Sequence, residues 1–158
     1  MIEFDVTIRS GDLYDYMMRH TYNSPAGILG SGVGALMVVA GTMRGQWLFV
    51  ILGAVLLLYL PWTLFIKSKQ QALKNPAFKE PLHYVVDEEG ISVSQKGEIQ
   101  KQNWQDMYKA VSTSRSIIVY TSRVAACIFP KRDLQDQTAH VIEMICTHMD
   151  ASKVKIRQ

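Results

Sequence analysis

Two uncharged, apolar stretches dominate this sequence: residues 25–43 and residues 46–66, separated only by a short polar break at Arg44, Gly45 and Gln46. At a rise of 1.5 Å per residue, a helix over residues 46–66 is about 31 Å long, enough to cross a bilayer core about 30 Å thick. So short a break leaves room only for a turn. We therefore expect a two-span transmembrane hairpin over residues 25–66. The alternative, a buried hairpin in a soluble core, is less typical of two such long uncharged runs.

The first stretch carries a face of small residues, because Gly27, Gly34 and Gly41 recur every seven positions. Small residues let a second helix approach closely. We expect this face to pack on the second span of the same chain, and contact between two copies, giving a homo-oligomer, is the alternative. The predicted helix-packing residues are Gly27, Gly30, Ser31, Gly34, Gly41 and Gly53.

Basic residues flank the outer ends of the hairpin, whereas its turn has only Arg44. The positive-inside rule then predicts a multi-pass inner-membrane protein with both termini in the cytoplasm. Besides Arg9 and Lys79, the flanks hold four candidates for contact with anionic lipid headgroups: Arg19, Lys67, Lys69 and Lys74. A solvated topology signal is the alternative interpretation of these four side chains. The net charge of +3 does not favour nucleic-acid binding.

The rest of the chain predicts a small α+β module. Residues 2–8 alternate apolar and polar side chains, as a half-buried strand does, and an amphipathic helix over residues 11–20 follows. A lone strand is not stable, so we expect residues 2–8 to join the strands that follow residue 82. Residues 67–74 continue the second span as a basic helix until Asn75 and Pro76 stop it.

After residue 82 the pattern favours five or six short strands, with a tight turn at residues 95–98, and then one helix capped by Asp133 and running to about Met149. This is an antiparallel meander or partial barrel capped by a C-terminal helix. The predicted organisation is a strand and juxtamembrane helix (1–24), the hairpin (25–66), a basic linker (67–81) and a cytoplasmic β-rich domain (82–158).

Several motifs in this order resemble the YcxB-like membrane protein family. They are the strand at residues 2–8, the two spans, Gly90-Ile91 after an acidic turn, W-x-D-x-x-K-A-V from Trp104, I-I-V-Y at residues 117–120 and I-F-P-K-R at residues 128–132. The resemblance implies a cytoplasmic module similar to bacterial pleckstrin-homology (PH) folds. It implies no established activity, so it assigns no functional residue.

Motifs of catalysis are not evident in the sequence. His140, Glu143, Cys146 and His148 share the last helix, but their spacing places them on different faces, which favours a polar surface over a metal site. Cys127 and Cys146 lack a C-x-x-C spacing and are expected to be reduced, buried thiols. We therefore predict no enzyme, no catalytic residue, no metal and no cofactor.

The functional hypothesis is a non-enzymatic membrane protein whose PH-like module binds a protein or peptide partner at the inner membrane face. Candidate contact residues are Trp104, Lys131 and Arg132, although Trp104 also suits the core of the module and the basic pair also suits a solvated helix entry. Two alternatives stay open. One is an oligomeric membrane immunity or resistance-type factor assembled through the glycine face, and the other is a sensor of anionic lipid surfaces.

Overall fold

A computed structural model describes residues 1–156 of the 158-residue chain. It divides into two compact units. The first, which we call the module, combines Met1–Asp12 with Ala72–Gln158, and the second, the hairpin unit, is Leu13–Gln71. The chain therefore leaves the module after Asp12 and returns to it at Ala72.

Three helices cover the hairpin unit and its borders: α1 (Ser10–Tyr22), α2 (Pro25–Met43) and α3 (Trp47–Lys74). Ser24 caps α2, because its hydroxyl accepts a hydrogen bond from the Gly27 amide at 3.1 Å. As predicted, α3 continues through the basic residues and ends before Asn75 and Pro76. By length and composition, α2 and α3 are both able to cross a membrane. The most apolar 18-residue stretch of each helix is largely exposed, with 17% of it buried in α2 and 11% in α3.

The module contains two four-stranded sheets. Sheet I is antiparallel in the order β1-β2-β3-β4, with β1 at Ile2–Val6, β2 at Leu82–Val86, β3 at Gly90–Gln95 and β4 at Glu98–Asn103. Sheet II has the order β7-β6-β5-β8, with β5 at Lys109–Ser112, β6 at Ser116–Tyr120, β7 at Ala126–Pro130 and β8 at Val154–Lys155. The fold is therefore an α+β mixture, and residues 1–156 form no closed barrel.

The N-terminal strand joins the later strands, as the sequence predicted. β1 pairs antiparallel with β2, from Ile2 opposite Val86 to Val6 opposite Leu82. Along the sequence, the whole hairpin unit thus lies between two strands that are neighbours in sheet I. The turn between β3 and β4 is also confirmed, with Lys96 and Gly97 both at positive φ, 53° and 87°.

The expected single meander is corrected in two places. Residues 104–111 were predicted to form a strand or a strand with a bend, but a one-turn 3₁₀ helix at Trp104–Asp106, with the Trp104 side chain buried in the core, separates sheet I from sheet II. At the other end, β8 pairs parallel with β5, through Ala110 opposite Val154. A two-residue strand is too short to leave a periodic signal in the sequence.

An aromatic cluster joins the two sheets. The Phe4 ring, on β1, lies 5.9 Å from the Tyr84 ring and 5.2 Å from the Phe129 ring, while Tyr84 and Phe129 are 4.9 Å apart. In sheet II, β6 pairs with β7, which carries Phe129, and every residue of β6 is buried. The core of the module therefore depends on a side chain that precedes the hairpin and on others that follow it.

The predicted final helix is two helices, α4 (Lys131–Leu134) and α5 (Thr138–His148). Gln135 has a φ of 47°, which interrupts the helix between them. Asp133 does not cap it; its Oδ2 instead accepts a hydrogen bond from the Thr7 amide at 3.1 Å. The apolar stripe is confirmed for the four buried residues Leu134, Val141, Ile145 and Met149, whereas Ile142 is half-buried.

Candidate functional site

One cleft of the module is lined mainly by basic and hydroxyl side chains. It has a volume of about 560 Å³ and is bounded by three segments of the chain, residues 9–12, 114–115 and 131–132. Its lining residues, which we call the basic cleft, are Arg9, Ser10, Gly11, Asp12, Ser114, Arg115, Lys131 and Arg132.

An ion pair holds the two sides of the basic cleft together. Arg132 binds Asp12 with both ends of its guanidinium, Nη1 to Oδ1 at 2.7 Å and Nη2 to Oδ2 at 2.8 Å. Asp12 is only 2% exposed, and its carboxylate also accepts a hydrogen bond from the Arg9 amide at 2.8 Å. Bonding to this carboxylate raises the pKa of Arg132. The negative charge of Asp12 is thus balanced by the positive charge of Arg132.

Arg132 and Lys131 also bind backbone carbonyls. Arg132 Nη2 donates to the Thr7 carbonyl at 2.9 Å, and Lys131 Nζ donates to the Thr113 carbonyl at 2.7 Å. Both side chains therefore hold segments of the module together. The sequence-based prediction made these two residues partner contacts, and the structure gives each of them a role in the fold as well.

Arg9 and Arg115 supply the uncommitted charge of the basic cleft. Both are exposed, and within residues 1–156 no carboxylate lies within ion-pair distance of either guanidinium. The sequence analysis named Arg9 only as a topology signal and did not single out Arg115 at all. No local pattern could have found the pair, because 106 positions separate them and only the fold brings them to one cleft.

Trp104 is not part of this cleft. Its side chain is 4% exposed, its Nε1 donates to the Asp87 carbonyl at 2.9 Å, and its ring stacks on His148 with centroids 5.9 Å apart. The structure therefore favours the core interpretation of Trp104 over the partner-contact interpretation.

The predicted helix-packing glycines differ in what they contact. A Cβ on Gly34 would lie 3.0 Å from the Leu57 side chain, and one on Gly53 would lie 2.7 Å from the Gly34 carbonyl, so α2 and α3 meet there. Gly41 approaches Val50 of α3 in the same way. Gly27 instead approaches the carbonyl of Thr21, which lies in the last turn of α1. Gly30 has open space around it, and Ser31 is half-buried.

The four predicted headgroup contacts, Arg19, Lys67, Lys69 and Lys74, are all exposed. Lys69 Nζ lies 4.5 Å from the centroid of the Phe65 ring. An ammonium over an aromatic face is favourable, but this contact leaves the charge accessible.

The two cysteines occupy different environments. Cys127 is half-buried on β7, and burial raises the pKa of its thiol to about 11. Cys146 is exposed on α5, so the expectation of two buried thiols is wrong for it. Within the described part of the chain, no three His, Cys, Asp or Glu side chains are grouped so that they could hold a metal ion.

Two small sheets, a terminal helix and a pair of long apolar helices define the class: an α+β protein with a candidate membrane hairpin. Comparison with protein families adds one match to part of the chain. Residues 86–141 match the model of the YcxB-like protein family, which confirms the resemblance stated from the sequence over that segment. The match contains Arg115, Lys131 and Arg132 of the basic cleft and ends within α5. No curated protein and no solved structure matches the chain.

Proposed function

We propose that this chain is a multi-pass protein of the bacterial inner membrane that holds a non-enzymatic, PH-like binding module at the cytoplasmic face. The observation that carries the proposal is the insertion of the hairpin unit between the paired strands β1 and β2. The two long helices expose most of their apolar windows, as lipid-facing helices do. Two small sheets followed by a helix support the PH-like description.

Strand pairing restricts the number of crossings. β1 precedes the hairpin and β2 follows it, and their register requires both strands to lie on the same side of the membrane. A single crossing would separate them, whereas crossings by both α2 and α3 return the chain to its starting side. The excess of Arg and Lys at the outer ends of the hairpin makes that side the cytoplasm.

The proposed partner of the module is an extended segment of another protein. β4 forms one edge of sheet I, pairs with β3 alone among residues 1–156, and has all six of its residues exposed. The outer backbone groups of such an edge can pair with an added strand. Glu98 and Lys101 place charges of both signs along it, which discourages indiscriminate pairing and leaves selection to the partner's side chains.

Cysteine labelling in intact cells tests the topology. In a background with Cys127→Ser and Cys146→Ser, the Gln46→Cys variant should react with a membrane-impermeant maleimide, because Gln46 lies in the turn between α2 and α3. The Ser152→Cys variant should react only after the cells are permeabilised. Labelling of Ser152→Cys in intact cells would contradict the proposed orientation.

Photocrosslinking tests the partner surface. A photoreactive residue at Ile99, the exposed apolar side chain of β4, should give a discrete protein adduct in native membranes. The same group at Val124, which is similarly exposed in the turn before β7, is the matched control. Equal adducts at both positions, or none at Ile99, would reject β4 as the binding edge.

A further inference from the structure

We propose that the basic cleft is a binding site for a phosphate monoester, carried either by a lipid headgroup or by a small soluble molecule. The proposal concerns a different surface from the β4 edge. It rests on the uncommitted cations of the cleft, on its hydroxyl groups and on its net charge.

The charge of the cleft fits a dianion. Four cations, Arg9, Arg115, Lys131 and Arg132, lie along it, and two carboxylates, Asp12 and Asp133, oppose them by pairing with Arg132. Two positive charges are left over. A phosphate monoester carries about −1.5 to −2 charges near neutral pH, whereas a single carboxylate carries only one.

The hydrogen-bond donors of the cleft also fit phosphate. Arg9 and Arg115 each present a planar fork of N–H groups, a geometry that matches phosphate oxygens. The hydroxyls of Ser10 and Ser114, which also line the cleft, add further donors. Three terminal oxygens of a phosphate monoester can accept from all of these groups, which a carboxylate with two oxygens cannot.

Contacts within the module hold the segments that carry these donors. Arg132 holds Asp12, and Lys131 holds the Thr113 carbonyl, so the segments that carry Arg9 and Arg115 are tied together through buried or half-buried contacts. Preorganisation of this kind reduces the entropy lost on binding. The remaining freedom belongs to the exposed Arg9 and Arg115 side chains themselves.

The position of the cleft in the chain makes a lipid a credible source of the phosphate. Arg9, Ser10, Gly11 and Asp12 are the last module residues before the chain enters the hairpin unit, and the first apolar helix begins at Pro25. The lipid source, but not the phosphate chemistry, depends on the proposed membrane location.

The test uses the full chain purified in a neutral maltoside detergent. Isothermal titration with inorganic phosphate, and with acetate as the carboxylate control, measures the anion preference. Native mass spectrometry then measures retention of phosphatidic acid, with phosphatidylserine and phosphatidylcholine as the other lipids. The decisive variant is Arg9→Gln with Arg115→Gln. Its matched control is Arg123→Gln with Lys155→Gln, which removes the same charge from exposed positions of another depression on the module.

We expect phosphate or phosphatidic acid, or both, to bind the natural chain. The cleft variant should bind each about tenfold or more weakly, the loss expected for removing charge-assisted hydrogen bonds, and the control variant should bind like the natural chain. Binding of inorganic phosphate identifies a soluble source, and retention of phosphatidic acid alone identifies a lipid source. Unchanged melting temperatures of both variants would confirm that the fold is intact.

Three results would overturn the proposal: no binding of either probe, equal weakening in the control variant, or acetate and phosphatidylserine binding as well as phosphate and phosphatidic acid. The last result would point to an acidic protein segment as the ligand. Because titration with inorganic phosphate needs no membrane, failure of this site can be distinguished from failure of the proposed topology.

Discussion

At the scale of single residues, Arg132 joins distant parts of the module. Its guanidinium binds Asp12 and the Thr7 carbonyl, 120 and 125 positions away, and its Nε lies 3.2 Å from the neighbouring Asp133 carboxylate. The segment after β1 is thereby fixed to the start of α4. The two partners differ in exposure, because the Asp12 carboxylate is buried while the Arg132 side chain is 38% exposed.

Replacing Arg132 should therefore destabilise the protein. Arg132→Met leaves the buried Asp12 carboxylate without its cation, which for a fully buried pair costs about 3–5 kcal/mol. Solvent reaches the arginine, so we expect about 2–3 kcal/mol here. Chemical denaturation of the purified protein measures the loss. Arg123→Met, at an exposed turn, is the control, and equal unfolding free energies for the two variants would contradict the structural role of Arg132.

The two cysteines allow a residue-scale prediction with an internal control. The thiolate is the reactive form, and with a pKa of about 11 only about one Cys127 thiol in a thousand is ionised at pH 8. Iodoacetamide should therefore modify the exposed Cys146 first and Cys127 only slowly until the protein is unfolded. Peptide mass spectrometry after timed quenching follows both sites. Similar rates in the folded protein would show that Cys127 is not protected and that the pKa of its thiol is not raised.

At the scale of elements, the glycines of α2 have separate roles despite their regular spacing. Gly34 faces Leu57 and the backbone of Gly53 on α3, whereas Gly30, one turn earlier, has open space around it. The contact lies within one chain, which supports intrachain packing over the oligomeric alternative for the Gly34 position. An isolated sequence cannot make that distinction, because both arrangements require the same small residues.

Gly34→Leu and Gly30→Leu form a matched pair of tests. A side chain at Gly34 would overlap Leu57, so α2 and α3 must separate, and we expect a clearly lower melting temperature in detergent. At Gly30 an added Cβ has no neighbour within 4 Å, so the melting temperature should stay near that of the natural protein. The thermal unfolding of both variants decides the matter. If Gly30→Leu is the more damaging change, the α2–α3 contact described above is wrong.

At the scale of the whole molecule, the hairpin unit interrupts the sequence of the module without interrupting its sheet. β1 and β2 are adjacent in sheet I although 75 residues lie between Val6 and Leu82. Phe4, before the hairpin, completes an aromatic cluster with Tyr84 and Phe129, which follow it. All strands of both sheets thus belong to the module alone.

The module should consequently fold without the hairpin. We expect a chain in which a flexible Gly-Ser linker replaces residues 13–71 to be soluble and to unfold cooperatively, as followed by circular dichroism and size-exclusion chromatography. A second chain that starts at Ala72 lacks β1, Phe4 and Asp12, so it should be much less stable or aggregate. Equal stability of the two chains would mean that β1 contributes little, and insolubility of the linked chain would mean that the hairpin is needed for folding.

Local patterns were sufficient for much of the element structure. Alternation predicted β1, a short apolar run predicted β6, uncharged length predicted α2 and α3, and the Asn75-Pro76 pair fixed the end of α3. They failed where a tertiary contact overrides local preference. A 3₁₀ turn with a buried Trp104 side chain forms where a strand was predicted to begin, Gln135 breaks the final helix, and Asp133 binds the Thr7 amide instead of capping.

Local residue patterns are enough to specify the two apolar helices and the tendency of residues 2–8 to form a strand, because hydrophobic length and period-two alternation are properties of neighbouring residues. Long-range contacts divide the later strands into two sheets and pair β8 parallel to β5. They also decide the candidate site. Arg9 and Arg115 carry no shared signal along the chain. They line one cleft because β1 pairs with β2, which follows the hairpin in the sequence, and because Arg132 binds Asp12.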